Sequence, residues 1–228
     1  MSAQLPLALG FPPEQRFAAF HGQVPLRNLV EDFARGDGAH WLYLAGPMGS
    51  GKTHLLLAAC ALARESGQAA AFLPLATVAG RLGEALQGLV DAPALVCLDG
   101  VEAIAGHDAD EIALFHAHNA ARQSGARLVY AATAMPAALP IRLPDLVSRL
   151  EQCTRLALQP LDEAGRREVL RQRAARRGLE LDDAVLDYLF RRVGRDLASL
   201  TTLLDRLDRE SMAAQRRITV PFLRARLD

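Results

Sequence analysis

GPMGSGKT, residues 46–53, places its glycines, a lysine and a threonine at the spacing G-x-x-x-x-G-K-[ST]. That pattern is suited to one task, gripping a chain of phosphates. Glycines let the backbone turn tightly and bring its N–H groups up to phosphate oxygens. A helix opening near Lys52 adds the positive end of its dipole. Lys52 would reach the β- and γ-phosphates, and Thr53 would offer its hydroxyl to Mg²⁺. Gly46, Pro47, Gly49, Ser50, Gly51, Lys52, Thr53 and His54 are therefore the candidate nucleotide-binding residues, with ADP or ATP and Mg²⁺ as cofactors. The composition sharpens this. Of the 26 basic residues only one, Lys52, is lysine, and phosphate is where a compact ammonium charge is useful.

ALVCLDG (94–100) supplies a second element, an apolar strand ending in an acid. Asp99 would hold Mg²⁺ through water. An aspartate at a strand end is also an ordinary structural cap, and the phosphate loop upstream favours the metal role.

These residues need a scaffold to hold them. Short apolar runs at 41–46, 69–75, 94–99, 127–133 and 154–159 read as buried strands. Helical spacing falls at 25–35, 52–66, 77–90, 108–124 and 144–150, with Asp108 and Asp110 near the start of the fourth of these helices. Alternating strands and helices predict an α/β domain with a five-stranded parallel sheet flanked by helices. After Pro160 the strands stop, and helices are predicted at 162–177, 182–193, 196–215 and after Thr219. The expected organisation is a tail and linker over 1–16, a nucleotide-binding α/β domain over 17–160 and a small C-terminal helical lid over 161–228.

Composition excludes some functions. The net charge is zero, with no global case for nucleic acid or an acidic membrane. Residues 1–150 hold 10 basic and 13 acidic residues and 151–228 hold 16 and 13, a mild asymmetry that a solvated helical face explains. No apolar stretch approaches the ~18 residues of a membrane span, and no signal peptide is expected. Cytoplasm is the expected compartment. Cys60, Cys97 and Cys153 are odd in number and lie in apolar runs, so they are expected to be reduced core residues. His116 and His118 stand two apart on a helix and point differently, so no metal site is assigned to them.

The ordered set QLPLAL (4–9), FAAFHG (17–22), GPMGSGKT (46–53), LVCLDGVEAIAG (95–106), LPDLVSRLE (143–151), LQPLDEAGRREVLRQRAARRGLEL (158–181) and LDRESMAAQRRITVPF (207–222) resembles the DnaA-related AAA+ family over nearly the whole chain. The tail and the C-terminal run are closer to that family's regulatory inactivators of initiation than to the initiator. The resemblance implies an AAA+ P-loop NTPase fold with its lid. It makes Arg149 an arginine finger acting in trans and Arg195 the lid arginine that contacts nucleotide, and it places the adenine-side wall around Phe17 to Pro25. Strand four should end in a polar sensor, and Thr133 is the offset candidate. AAA+ ATPases usually carry a second acid directly after the first, where this chain has Gly100, with Glu102 two residues further on. Weak or absent intrinsic hydrolysis follows.

QLPLAL resembles peptides that dock on the bacterial sliding clamp. In an extended chain Leu5, Leu7 and Leu9 share one face while Gln4 can hydrogen-bond at a groove's rim. The other reading of this segment is an edge strand folded back on the domain. The implied partners are DnaA, the clamp (the β subunit of DNA polymerase III), a second copy in a homodimer or higher AAA+ oligomer, and DNA only through the clamp. The implied function is inactivation of ATP-bound DnaA by an ADP-bound regulator in the cytoplasm, associated with the replisome. An independent AAA+ ATPase such as a helicase loader, or a truncated DnaA paralogue that binds DNA, are the alternatives. The neutral charge and the lack of a helix-turn-helix after the lid speak against the last of these.

Overall fold

A computed structural model describes residues 15–38, 41–91, 94–192, 197–214 and 217–227. Gln4, Leu5, Leu7, Leu9 and Arg195 lie outside the described residues. The chain divides into two compact units between Gln159 and Pro160.

In the first unit, β1 (Leu42–Ala45), β2 (Ala70–Pro74), β3 (Leu95–Asp99), β4 (Arg127–Ala132) and β5 (Thr154–Ala157) form one parallel sheet in the order β2-β3-β4-β1-β5. Side chains alternate between two apolar layers, as a strand's period of two requires. Leu42, Leu44, Leu95, Cys97, Val129 and Ala131 face one layer. There α2 (Lys52–Glu65) packs three alanines, Ala58, Ala59 and Ala63, into full burial, and small side chains let a helix lie close to a sheet. α1 (Val24–Arg35) adds Val30 and Phe33 to this layer. Tyr43, Val96, Leu98, Leu128 and Tyr130 face the other layer, covered by α3 (Leu82–Leu86), α4 (Asp108–Ser124) and α5 (Pro144–Glu151). The three cysteines are free and buried.

Two expectations need correction. The helix expected over 77–90 is only the five residues of α3, preceded by a 3-10 turn at Leu75–Thr77. Gly80 and Gly88 adopt left-handed φ of 84° and 77°, which a helix cannot continue through. The buried Asp110 carboxylate accepts the N–H groups of Gly80 and Leu82, so the chain is pinned there by a side chain instead of by helical bonds. The fifth strand ends at Ala157, short of residue 159. The Gln23 side chain pairs with both the N–H and the C=O of Gln159 at 3.2 and 2.9 Å, so this residue's peptide groups leave the ladder. Gln23 itself has φ 45°, a strained conformation for a non-glycine residue that the same paired amide holds in place.

The second unit consists of α6 (Glu163–Arg176), α7 (Asp183–Arg192), α8 (Leu197–Ala214) and α9 (Val220–Leu227). Asp162 caps α6 by accepting the Gly165 N–H at 2.7 Å. Leu170, Leu186, Phe190, Leu204 and Leu223 belong to a core within this unit. Among the described residues no helix is long and apolar enough to cross a membrane.

Candidate functional site

The phosphate loop leaves the buried end of β1 and enters α2 at Lys52. Gly46 N–H donates to Ala132 O at 3.1 Å, tying the start of the loop to the end of β4. A Cβ on Gly46 would stand 2.5 Å from Leu158 O and 2.8 Å from Ser50 Oγ, so only glycine fits. Gly51 has φ 94°, and its Cα face lies against the Phe20 ring, where a Cβ would come within 2.7 Å. Phe20 also meets the His54 ring edge-on at 5.5 Å, and His54 Nε2 is 2.9 Å from Arg16 O. Arg16 and Phe20 therefore lie against the loop and the first turn of α2.

Lys52 is buried, and its Nζ donates to Gly46 O at 2.6 Å and Pro47 O at 3.0 Å. Burial lowers its pKa, against the fields of Glu102 and Asp99. Thr53 Oγ1 donates to Asp99 Oδ2 at 2.7 Å, so the two residues expected at Mg²⁺ are side by side. Burial raises the Asp99 pKa, opposed by the Thr53 hydrogen bond and by Lys52. Ser50 Oγ is buried with no hydrogen-bond partner among the described residues. A loop that bars a Cβ at Gly46 and Gly51, a buried ammonium and an adjacent hydroxyl–carboxylate pair fit a magnesium-bound polyphosphate.

Gly100 has φ 84°, with its N–H bonded to Ala131 O at 2.9 Å. It opens the 3-10 turn Val101–Ala103. A left-handed residue here favours glycine over an acid. The turn carries Glu102, whose Oε2 accepts the Thr133 N–H at 3.1 Å. Glu102 and Thr133 thus meet at the ends of β3 and β4, and the Glu102 charge acts on both Lys52 and Asp99.

Arg149 is elsewhere. It sits in the last turn of α5 and lines a cavity of about 210 Å³ with Trp41, His118, Arg122, Arg127, Gln152 and Cys153. Trp41 precedes β1 and Arg127 opens β4, so this cavity lies at the opposite end of the sheet from the phosphate loop. Trp41 and Gly46 are five residue steps apart along extended chain, about 16 Å.

His118 lies against this cavity, with Nδ1 2.9 Å from Tyr130 Oη and the Trp41 ring edge-on at 4.5 Å. Burial, then the charges of Arg149 and Arg122, push its pKa down to about 4. An unfolded imidazole titrates near 6.5, so the unfolded chain binds more protons between those values. Its contribution to stability is complete above pH 6.5 and is lost as pH falls toward 4, by about 3 kcal/mol in all. Urea unfolding at pH 7 and pH 4.5 should show this slope, and His118→Gln should flatten it. An identical slope in the variant would refute the assignment.

Sequence reasoning passed over Arg122, one arginine among many, and the burial of Asp110 and Glu111, which are 2% and 1% exposed.

The sheet order, the loop between β1 and α2 and the acid ending β3 define an AAA+ P-loop NTPase fold. Similarity to solved structures agrees. Domain III of Thermotoga maritima DnaA matches with a TM-score of 0.78 and 21% identity, over 96% of this chain and 99% of that one. AMPPCP-bound DnaA from Aquifex aeolicus matches at 0.72 and 22%, over 86% and 66%. The RuvB Holliday junction branch migration motor of Thermotoga maritima matches at 0.66 and 16%, over 92% and 70%. The chain spans 66% and 65% of the length of two AMPPCP-bound DnaA structures. Residues 162–227 match the family described as Hda, lid domain. The second unit is thus similar to the Hda lid domain, and the fold is the one shared by the DnaA and RuvB structures.

Proposed function

We propose that this protein is a regulatory inactivator of the replication initiator DnaA. It holds ADP in its own cradle, docks on the DNA-loaded sliding clamp through residues 4–9 and supplies Arg149 to ATP bound by DnaA. The observation that carries this reading is the position of Arg149, in a cavity it shares with Trp41 at the end of the sheet opposite the chain's own phosphate loop. A guanidinium there serves a nucleotide on another molecule. The Hda-type lid supports the regulatory branch, and nucleotide binding is supported by the DnaA structures that carry AMPPCP.

In the chain's own cradle Lys52 would exchange its two carbonyl partners for phosphate oxygens, and the loop N–H groups would hold the diphosphate. Thr53 and Asp99 are the residues that would hold Mg²⁺, which when bound neutralises phosphate charge. Arg195, outside the described residues, is proposed as a further nucleotide contact. In trans, Arg149 stabilises the charge on the transferring phosphoryl group, an effect worth about 10³–10⁵ in rate. The test is turnover of DnaA-bound ATP with this protein and clamp loaded on DNA. Acceleration that needs both supports the reading, and its absence sinks it.

Docking on the clamp has its own test. Leucine burial contributes roughly 1.5–3 kcal/mol per side chain, offset by ordering the tail. Replacing Gln4, Leu7 and Leu9 with Ala should remove co-elution with the clamp and leave ADP binding intact. Unchanged co-elution would refute the docking role.

A second reading, an independent ATPase, is favoured by the placement of Glu102 beside Lys52 and Asp99. It predicts robust turnover by the isolated chain, against the glycine at position 100.

A further inference from the structure

Arg149 shares its cavity with two other arginines, and they are held differently. Arg127, at the start of β4, donates Nη1 to Phe33 O and Nη2 to Gln68 Oε1, and it also feels the charge of Asp37. It is committed to the fold. Arg122 comes from the last turn of α4 and Arg149 from the last turn of α5. Among the described residues neither guanidinium has a hydrogen-bond or ion-pair partner. In a chain whose other arginines so often pair with Asp or Glu, two unpaired guanidiniums lining one cavity are an exception.

Their fields converge. Both act on the buried imidazole of His118 between them, after burial itself, and hold it neutral. The cavity therefore presents two unpaired cations over a neutral floor of His118 and Trp41. Bringing like charges together is unfavourable unless an anion sits between them. Guanidiniums bind oxyanions through parallel N–H donors, and two of them can span adjacent phosphate groups.

We propose that this cavity is an oxyanion site in which Arg122 and Arg149 together grip a di- or triphosphate chain, with Arg122 as the second guanidinium. The source of the phosphate rests on the reading above, in which it is part of a nucleotide carried by a partner subunit. A polyphosphate free in solution has the same chemistry.

The chain has a single tryptophan, and Trp41 lines the cavity, so its emission reports occupancy there. The experiment titrates inorganic tripolyphosphate into the full chain saturated with ADP, so that its own cradle is filled. The expected result is a saturable Trp41 response whose apparent Kd rises at least tenfold in Arg122→Gln and in Arg149→Gln. Arg142→Gln, outside the cavity and ion-paired with Asp108, should leave it unchanged. In parallel, Arg122→Gln should lower turnover of partner-bound ATP at least tenfold. A Trp41 response lost with both arginines, together with lost turnover, supports the proposal and assigns the phosphate to the partner. The same Trp41 result with turnover untouched by either variant supports the site with free polyphosphate as ligand, and removes the trans role of Arg149. No Trp41 response, or one that Arg122→Gln leaves unchanged, overturns the proposal whatever the turnover shows.

Discussion

Arg149→Ala is expected to reduce the stimulated turnover of DnaA-bound ATP by about 10³-fold or more, while ADP affinity stays within about twofold of the parent chain. The two halves of that expectation have separate physical grounds. The loss follows from removing a planar cation whose hold on phosphate strengthens as charge develops on the transferring phosphoryl group. The insensitivity of ADP binding follows from geometry. Arg149 lines a cavity with Trp41 and Arg127, at the N-terminal ends of β1 and β4, whereas Lys52, Thr53 and Asp99 gather at the C-terminal ends. Arg149→Lys discriminates further. It keeps a positive charge but lacks the two-pronged donor, so recovery should be slight. Co-sedimentation with DnaA separates a catalytic loss from a lost encounter, since a finger that acts in the transition state leaves ground-state association largely intact. Stimulation by Arg149→Ala at the parent rate would sink the finger role.

The parts legible in the sequence were those encoded by short spacing. GPMGSGKT announced a loop, and the structure closes it on Gly46, where a Cβ would meet Leu158 O, and buries Lys52 beneath it. The strands were legible because buried parallel strands are continuous apolar runs. Asp99 stood out as the acid ending one of them, and its Thr53 partner followed from the loop. What could not be read depended on backbone turns and on topology. Glu102 reaches Thr133 only because Gly100 turns left-handed, and one-dimensional spacing does not reveal that. Arg122 and Arg149 are brought to one cavity by α4 and α5 packing on the same face of the sheet. The apolar periodicity over 77–90 hides what shortens α3, two left-handed glycines and a carboxylate from a distant helix. Asp110 was read as part of an acidic helix start. Its location there is correct, yet its carboxylate is buried and serves another segment's backbone.

Glu111 makes the same point with a larger consequence. Its carboxylate is 1% exposed and accepts three backbone N–H groups. Gly106 N donates to Oε1 at 2.6 Å, Arg142 N to Oε2 at 2.9 Å and Leu143 N to Oε2 at 2.8 Å. Leu143 is the N-cap of α5, so one side chain from α4 fixes the entry of the helix that carries Arg149. Glu111→Ala leaves three part-buried N–H groups without this acceptor, each costing roughly 1–3 kcal/mol at most. A loss of about 4 kcal/mol is expected, a large share of the 5–15 kcal/mol typical of a domain. Asp108→Ala, one helical turn away, is the matched control. Its side chain is 70% exposed and, among the described residues, pairs only with Arg142 Nη1 at 3.3 Å, so its loss should cost less than about 1 kcal/mol. Urea unfolding of both variants separates a buried backbone anchor from a surface ion pair. Glu111→Ala within about 1 kcal/mol of the parent would mean that these N–H groups find water or other acceptors, and that α5 is held by its apolar face alone. If the anchor holds, the milder Glu111→Gln should retain the fold at room temperature and still lower Arg149-dependent turnover, because an amide has only one oxygen to offer where the carboxylate uses two.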